Sequence, residues 1–295
     1  MKTLVGPPEM LAFLTLSAVM LLSSSMMSDL PDDVHSGEVS SSVANARFEL
    51  SSHRVLSSVE DNLSGITVDA AGQRLLMVVN QPPQVLVTHL DGRIVSTVPL
   101  IGFSDTEAIV HIEDDLFAIA DERHMEIVLA RIKSATVSID RQAQARIALD
   151  PEVRSNKGIE GLAYDRAART LYAAQEKSPK RIYRIRVDDW LRDSVPPNLL
   201  RYELEELWVP LEIHLLGDIS GLHFDDRKRQ LLVLSDESKR LIAIDMGGRV
   251  VRSDSLASLT DPPIPQAEGV VLDSSGELIL VSEPNHFYRF TPVAR

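Results

Sequence analysis

The sequence predicts an all-β protein, a five-bladed β-propeller. Three observations support this fold class: one short pattern occurs five times, each copy contains two strand-like runs separated by a polar turn, and the copies follow one another at intervals of 43, 53, 60 and 48 residues. Repeats of this length built from short strands are typical of propeller blades. The copies begin at Ser64, Glu107, Glu160, Ser220 and Glu268.

The first copy shows the pattern of a complete blade. Its predicted strands are Ile66–Val68, Leu75–Val79, Val85–Val87 and Ile94–Val98. Asp91 and Gly92 separate the last two, and an Asp-Gly pair favours a tight two-residue hairpin because it tolerates positive φ angles. The fourth copy follows the same plan. Gly248 follows Ser220 by 28 residues, the same offset that separates Gly92 from Ser64.

The two ends of the repeat array predict how the ring closes. The last copy ends near Phe290 and has room for only three strands, while residues 46–56 are β-compatible and have no other predicted partner. We therefore expect 46–56 to supply the missing outer strand, which leaves no open sheet edge. The long gap between the third and fourth copies predicts an inserted loop or short helix, with a sixth, degenerate blade over 187–215 as the alternative.

The N-terminal segment predicts export through or into a membrane. Met10 to Leu22 is apolar and uncharged, so residues 1–27 are predicted to be a signal peptide or a membrane anchor. Residues 28–45 are rich in serine and acidic residues and predict a flexible linker. The propeller domain then occupies 46–295. This organisation predicts a protein of the cell envelope, anchored in the inner membrane and facing the periplasm, or secreted to the periplasm.

Composition excludes several classes of function. A net charge of −13 and a pI near 5.1 exclude the basic surface of a nucleic-acid binder. The chain has no cysteine, which excludes disulfides, thiolate metal sites and a cysteine nucleophile. The sequence contains no G-x-S-x-G, H-E-x-x-H or P-loop motif. Of the eight histidines, His124 has the best position for a catalytic base.

Each copy carries two polar positions, which we call its first and second marks. The first mark directly precedes the first predicted strand, and the second directly follows the second strand. Consecutive strands of a blade are antiparallel, so both marks are expected at the same edge of each blade and at one mouth of the central channel. The first marks are Ser64, Glu107, Glu160, Ser220 and Glu268. The second marks are Asn80, Glu122, Glu176, Asp236 and Glu283.

Seven of these ten residues are acidic, and Asp121 and Glu237 adjoin them. Clustered oxygen ligands with few nitrogens suit Ca²⁺ or Mg²⁺ better than zinc. We therefore expect a possible Ca²⁺ site whose candidate ligands are Glu107, Glu160, Glu268, Glu122, Glu176 and Glu283. Ser64, Asn80, Ser220 and Asp236 complete the predicted mouth. Two alternatives stay open: neighbouring bases could neutralise the acids, or the acids could fasten adjacent blades to each other. The candidate bases are Arg123, Lys177, Lys239 and Arg240.

Four segments of the repeated copies resemble the sequences of the SdiA-regulated, YjiK-like bacterial family. These segments are residues 62–66, 103–109, 158–165 and 175–183. The resemblance covers roughly residues 46 to 295 and departs at Ala108, where the other copies have glycine. It implies a five-bladed propeller behind an N-terminal membrane or export segment, and it implies no particular activity.

Three functions are compatible with these observations. The favoured one is a monomeric envelope propeller that binds a ligand or an envelope protein at its acidic mouth. The alternative is a metal-dependent hydrolase of a phosphoester or lactone, with Glu107, Glu160 and Glu268 as metal ligands or bases. The third is a structural element of an envelope complex. No nucleic-acid partner is expected.

Overall fold

Five antiparallel sheets form a ring in the computed structural model of the protein, and each sheet is one propeller blade. The structure describes residues 48–149, 158–177, 179–187, 200–207 and 210–293. The predicted signal or anchor segment and the predicted linker lie outside these residues. Within them, no helix has the length and apolar character needed to cross a membrane.

The strands follow the chain from blade to blade. β1 is Phe48–Val55, and the first blade contains β2 (Leu63–Val68), β3 (Arg74–Val79), β4 (Gln84–His89) and β5 (Ile94–Ile101). The second contains β6 (Thr106–Glu113), β7 (Leu116–Asp121), β8 (Glu126–Arg131) and β10 (Ala145–Ala148), while β9 (Ile139–Asp140) pairs with β5. The third contains β11 (Ile159–Asp165), β12 (Thr170–Gln175), β13 (Arg181–Val187) and β14 (Tyr202–Leu207). The fourth contains β15 (Gly221–Asp225), β16 (Gln230–Ser235), β17 (Arg240–Asp245) and β18 (Val250–Ser255). The fifth contains β19 (Gln266–Leu272), β20 (Leu278–Glu283) and β21 (His286–Pro292), completed by β1. One helical turn, α1, spans Leu211–His214, and 3₁₀ turns occur at Glu122–His124, Arg141–Ala143 and Leu256–Ser258.

The predicted closing strand is confirmed. β1 pairs antiparallel with β21, with Phe48 opposite Pro292 and Val55 opposite His286. The last blade therefore contains strands from both ends of the described chain, and its outermost position is filled. On the inner side, β19 lies against β2, so the five inner strands also form a closed ring.

The segment between the third and fourth copies matches the predicted inserted loop or short helix only in part. Tyr202–Leu207 is the outer strand of the third blade and pairs with β13, and Leu211–His214 is a short helix. The segment therefore completes an existing blade, and the sixth-blade alternative is wrong. The pattern Tyr-Glu-Leu-Glu-Glu-Leu hides this strand because its glutamates lie on an exposed outer edge, where charge is tolerated and discourages further pairing.

The turn at Gly92 also differs from the prediction. The amide of Gly92 donates to the carbonyl of His89, and the amide of His89 donates to the carbonyl of Arg93. The loop is therefore three residues long, and only Gly92 within it has a positive φ, of 81°. Gly248 has the same role, with a φ of 79°. Such a loop consists of an ordinary turn followed by a bulge residue with a positive φ angle. Only the second residue of the Asp-Gly pair therefore needs to be glycine.

The hydrophobic core is a circle of five clusters, one between each pair of adjacent blades. Ile119 packs between the first and second blades, Leu171 between the second and third, and Phe287 between the fifth and first. Because every blade is buried on two faces by its neighbours, the inner strands are apolar on both faces.

The centre of the ring is closed by side chains. The channel narrows to a cavity of about 10 Å³, no more than one water molecule. It is lined mainly by glycines and aliphatic residues of the inner strands, including Ile66, Leu162, Leu222 and Val270. The two mouths of the channel are therefore separate surfaces.

Candidate functional site

All ten marked residues lie in or next to the first two strands of their blades. Among the first marks, Glu107, Glu160 and Glu268 lie inside the inner strands rather than before them, as does Ser64, while Ser220 directly precedes β15. Among the second marks, Glu283 is the last residue of β20, and the others directly follow the second strands. The antiparallel pairing places both sets at the same edge of each blade.

Irregular pairing explains the displacement of the first marks. In four of the five blades, the register between the first two strands shifts at the marked residue. In the second blade the shift lies between Thr106 and Ile109, and it therefore includes Glu107. A bulge of this kind redirects a side chain while the strand continues. The glutamates thus belong to the strands without taking part in regular pairing.

The tightest group of acids is formed by Asp105, Glu107 and Glu122. One carboxylate oxygen from each lies within 4.8 Å of the others. The Asn80 side-chain amide donates to Asp105 at 2.5 Å and to Glu107 at 2.9 Å. The Asn80 amide thus presents its donor group to these carboxylates and compensates part of their negative charge.

Asp105 is a site residue that the sequence analysis did not select. It stands two residues before Glu107, and Asn62 has the equivalent position before Ser64. Both residues have positive φ angles, 67° for Asp105 and 62° for Asn62. A polar residue that tolerates this conformation, two positions before the first mark, was the available signal in these two copies.

The second marks also hold adjacent blades together. Glu122 accepts a hydrogen bond from the Gly158 amide at 2.7 Å, and Asp236 accepts one from the Ala267 amide at 2.8 Å. Each acid thus binds the backbone at the start of the next blade. The blade-fastening alternative therefore describes a contact that these two carboxylates make.

Basic residues neutralise only part of the cluster. Arg123 pairs with Asp105 at 2.7 Å, Lys177 with Glu176 at 2.5 Å, and Lys239 with Asp236 at 2.5 Å. Across the described ranges, five mouth acids have no ion pair within 4 Å. These five are Glu107, Glu122, Glu160, Glu268 and Glu283.

The same five carboxyls have raised pKa values. Burial is the largest cause in each, and neighbouring carboxylates add to it. The pKa of Glu107 is raised to about 8, that of Glu268 to about 9 and that of Glu160 to about 11. Without a cation, Glu107, Glu160 and Glu268 therefore retain protons at neutral pH.

Glu160 differs from Glu107, Glu122 and Glu268 in that its side chain has no hydrogen-bond partner among the residues described. By contrast, Glu268 accepts from the Gln266 side chain at 2.8 Å. The charges of Glu176, Glu268, Glu107 and Glu122 all act on Glu160. Glu160 is thus the carboxyl that a cation would relieve most.

The two serines and His124 have mainly structural contacts. Ser220 is buried and donates to the Ala267 carbonyl at 2.7 Å, so its hydroxyl is already used. Ser64 is fully buried beside Glu107 and bonds the Asn62 carbonyl at 3.4 Å. His124 lies 2.8 Å from the buried carboxylate of Asp121, which holds the ring in a separate charged network.

Comparison with known proteins identifies the family. A model of the SdiA-regulated family matches residues 39–291. The chain belongs to the SdiA-regulated family. This confirms the resemblance carried by the repeated phrases, and the family match extends across all five blades.

Solved structures with low sequence identity are also similar to this SdiA-regulated protein. A chain of a nidogen/laminin complex has 14% identity and a TM-score of 0.48, with coverage of 76% of this chain and 73% of that one. A luciferin-regenerating enzyme has 14% identity and a TM-score of 0.49, with coverage of 82% and 96%. A protein of unknown function from Bacteroides thetaiotaomicron VPI-5482 has 15% identity and a TM-score of 0.47, with coverage of 80% and 56%.

Proposed function

We propose that the acidic mouth binds a divalent cation, Ca²⁺, and through it a ligand or an envelope protein. The observation that carries this proposal is the convergence of Asp105, Glu107 and Glu122 within 4.8 Å. Like charges at this distance repel each other unless protons or a cation compensate them. An ion with an affinity for carboxylates therefore has a pre-assembled set of ligands.

The type of ligand favours calcium over transition metals. The group offers carboxylate oxygens, and no histidine nitrogen or cysteine sulfur converges on it in the part of the chain described. Calcium takes six to eight oxygens in flexible geometry, whereas Mg²⁺ demands a near-ideal octahedron and keeps its waters. Glu160 and Glu268 are the neighbours that would complete the ligand set.

Calorimetry of the purified full-length protein tests the proposal. After treatment with a chelator, we expect one equivalent of Ca²⁺ to bind more tightly than Mg²⁺. Binding should release protons, because the carboxyls that bind the ion carry them beforehand. Titrations in buffers of different ionisation enthalpy measure this release, and affinity should rise between about pH 6 and 8. The absence of Ca²⁺ binding at millimolar concentration contradicts the proposal and leaves blade fastening as the role of the acids.

Variants separate the ion site from general charge effects. Glu107→Gln should weaken Ca²⁺ binding by about tenfold or more, since one charged ligand is lost. The combined replacement of Glu107, Glu160 and Glu268 by glutamine should abolish binding and preserve the β-rich fold. Glu203→Gln is the matched control, because Glu203 is exposed on the outer edge of the third blade. An equal effect of the control would point to net charge alone.

The location and partner are part of the same proposal. The apolar segment Met10–Leu22 supports an envelope protein, either anchored in the inner membrane or secreted to the periplasm. Cross-linking in intact cells, followed by fractionation with and without a chelator, tests both aspects. A partner captured only when Ca²⁺ is present supports binding through the ion. Recovery of the protein in the cytoplasm contradicts the proposed location.

A metal-dependent hydrolase of a phosphoester or lactone is the second candidate. Glu160 favours it, because a protonated carboxyl beside a cation site could transfer a proton to a leaving group. A screen of phosphoester and lactone substrates with Ca²⁺ or chelator tests this role. Hydrolysis that requires Ca²⁺ and is lost in Glu160→Gln would support it, whereas unchanged hydrolysis in that variant would exclude Glu160 as the acid.

A further inference from the structure

The opposite mouth of the channel holds a second and larger cavity, of about 450 Å³. It is enclosed by the hairpins that join the first two strands of the first, fourth and fifth blades, and by the ends of β6 and β11. This volume falls within the range of small-molecule sites. We call it the distal cavity, and its lining comprises 67–72, 110–111, Tyr164, Arg166, 223–228, 271–274 and Gly276, together with Phe48, Arg252 and Pro292.

The four acids that line the distal cavity are engaged in its walls, and Asp226 among them lies 3.8 Å from the Arg166 guanidinium. One oxygen of Asp69 accepts the amides of Gln73 and Arg74, and one oxygen of Asp225 accepts those of Arg227 and Lys228. Asp273 serves its own hairpin in the same way, accepting from the Ser275 and Glu277 amides. These carboxylates form the turns, so much of their accepting capacity is used.

Arg166, a further residue of the cavity lining, is held in place by His111. The Arg166 guanidinium lies 2.7 Å from Nδ1 of His111 and 2.9 Å from the Ile112 carbonyl. Because arginine only donates, Nδ1 must accept, and Nε2 then donates to the Asp114 carbonyl at 2.8 Å. His111 is therefore held as one neutral tautomer, and burial lowers its pKa accordingly. The pair stabilises the cavity wall.

Three side chains that line the distal cavity retain unused donors. The exposed Arg227 guanidinium has neither a hydrogen bond nor an ion pair with any described residue, and Lys228 is 4.0 Å from Asp225. The ring nitrogens of His223 likewise have no partner in the described ranges. Burial lowers the pKa of His223 to about 4, so the ring is neutral and offers one donor and one acceptor.

Apolar groups form the remaining lining. Val68, Val110, Phe224 and Val271 contribute surface to the distal cavity. A ligand that matches this lining needs an apolar body and an acceptor-rich end. Arg227 has no ion pair with a described residue and Lys228 has only a long one, so these two cations are placed to receive an anionic polar end.

We propose that the distal cavity binds a small organic anion, a carboxylate or phosphate on an apolar body, with Arg227 and Lys228 as charge partners and His223 as a hydrogen-bonding contact. This site is independent of the acidic mouth, because aliphatic side chains close the channel between them. Its ligand class is also opposite in charge to a cation. The two proposals can therefore fail separately.

The test uses the full-length protein with benzoate and phenyl phosphate as anionic probes and benzyl alcohol as the neutral probe. We expect calorimetry to show at least one anion binding about tenfold or more tightly than benzyl alcohol. Preference between benzoate and phenyl phosphate distinguishes a carboxylate from a phosphate ligand. The absence of binding by both anions at about 10 mM, or equal binding of all three probes, overturns the proposal.

Two arginine variants locate the site. Arg227→Ala should weaken the preferred anion about tenfold or more, because a charge-assisted contact is lost. Arg240→Ala removes the same charge at the other edge of the fourth blade and should leave affinity unchanged. Equal weakening by both variants overturns the assignment. Glu107→Gln should leave anion binding intact even where it eliminates Ca²⁺ binding, and Arg227→Lys should retain most of the affinity if charge is what the ligand contacts.

Discussion

Gly65, which has no side chain, sets the distance between β2 and β6, the inner strands of the first and second blades. A Cβ atom at Gly65 would lie 2.6 Å from the Ala108 Cα, 2.8 Å from the Ile109 nitrogen and 2.9 Å from the Glu107 carbonyl oxygen. All three atoms belong to the backbone, so no side-chain rotation could relieve the contact. Gly65 therefore allows the strand that carries Glu107 to approach.

Gly65→Ala should destabilise the protein by about 1–3 kcal/mol, because an added methyl group in a closely packed site forces the backbone to move. The same movement should weaken Ca²⁺ binding through Glu107. Urea unfolding and calorimetry measure the two effects. Gly247→Ala is the control: its nearest contact is a side-chain oxygen of Asp245 at 3.2 Å in an exposed turn, and a change below about 0.5 kcal/mol is expected. Equal stability of the two variants would refute the close-approach argument.

At the scale of an element, β1 is the segment on which the ring depends. It covers the edge of β21 and places Phe48, only 7% exposed, in the cluster between the fourth and fifth blades. The following residues of β1 are exposed, so Phe48 is its main contribution to the core. The strand thus joins the ring by backbone pairing and by one aromatic anchor.

Phe48→Ala should therefore lower the free energy of unfolding by about 3 kcal/mol, as expected for a buried aromatic side chain. Leu50→Ala in the same strand should have little effect, since Leu50 is 44% exposed. Deleting residues 46–56 should lower the melting temperature further and promote aggregation through the open edge of β21. A deletion variant that melts at the wild-type temperature would show that β1 does not close the ring.

For the whole molecule, the two sets of carboxyls predict opposite responses to pH. Glu107, Glu268 and Glu160 have folded pKa values raised to about 8, 9 and 11. Their contribution to stability is therefore present below the unfolded pKa near 4.5 and is lost as pH rises through the folded values. Ion-paired acids such as Asp115 and Asp165 have lowered pKa values, so their contribution is lost as pH falls. Maximum stability without cation should lie near about pH 5–6.

Thermal unfolding in chelator should show a decreasing melting temperature from about pH 6 to 9, and saturating Ca²⁺ should reverse this decrease. Glu160→Gln should raise the melting temperature at pH 8 by several degrees, because it removes a carboxyl that is ionised in the unfolded protein and protonated in the folded protein. The same variant should have little effect at pH 5. Glu203→Gln again serves as the control. Melting that is independent of pH over this range would contradict the raised pKa values of the mouth acids.

The sequence by itself determined the number of blades, the closing strand and the ten marked positions. These features depend on local chemistry: alternating apolar residues define strands, glycine and aspartate define turns, and a repeat at similar spacing returns each copy to the same place in the ring. For this reason Glu107 and Glu122 could be assigned to one edge before any distance was known.

Only the tertiary structure decided which acids form a group and which do not. It placed Asp105 beside Glu107 and Glu122, paired Glu176 and Asp236 with lysines, and separated the acidic mouth from the distal cavity. It also made 202–207 an outer strand. These outcomes depend on contacts between blades and on bulges that redirect single side chains. Such contacts join residues far apart in the chain, and their geometry exists only once the ring is closed.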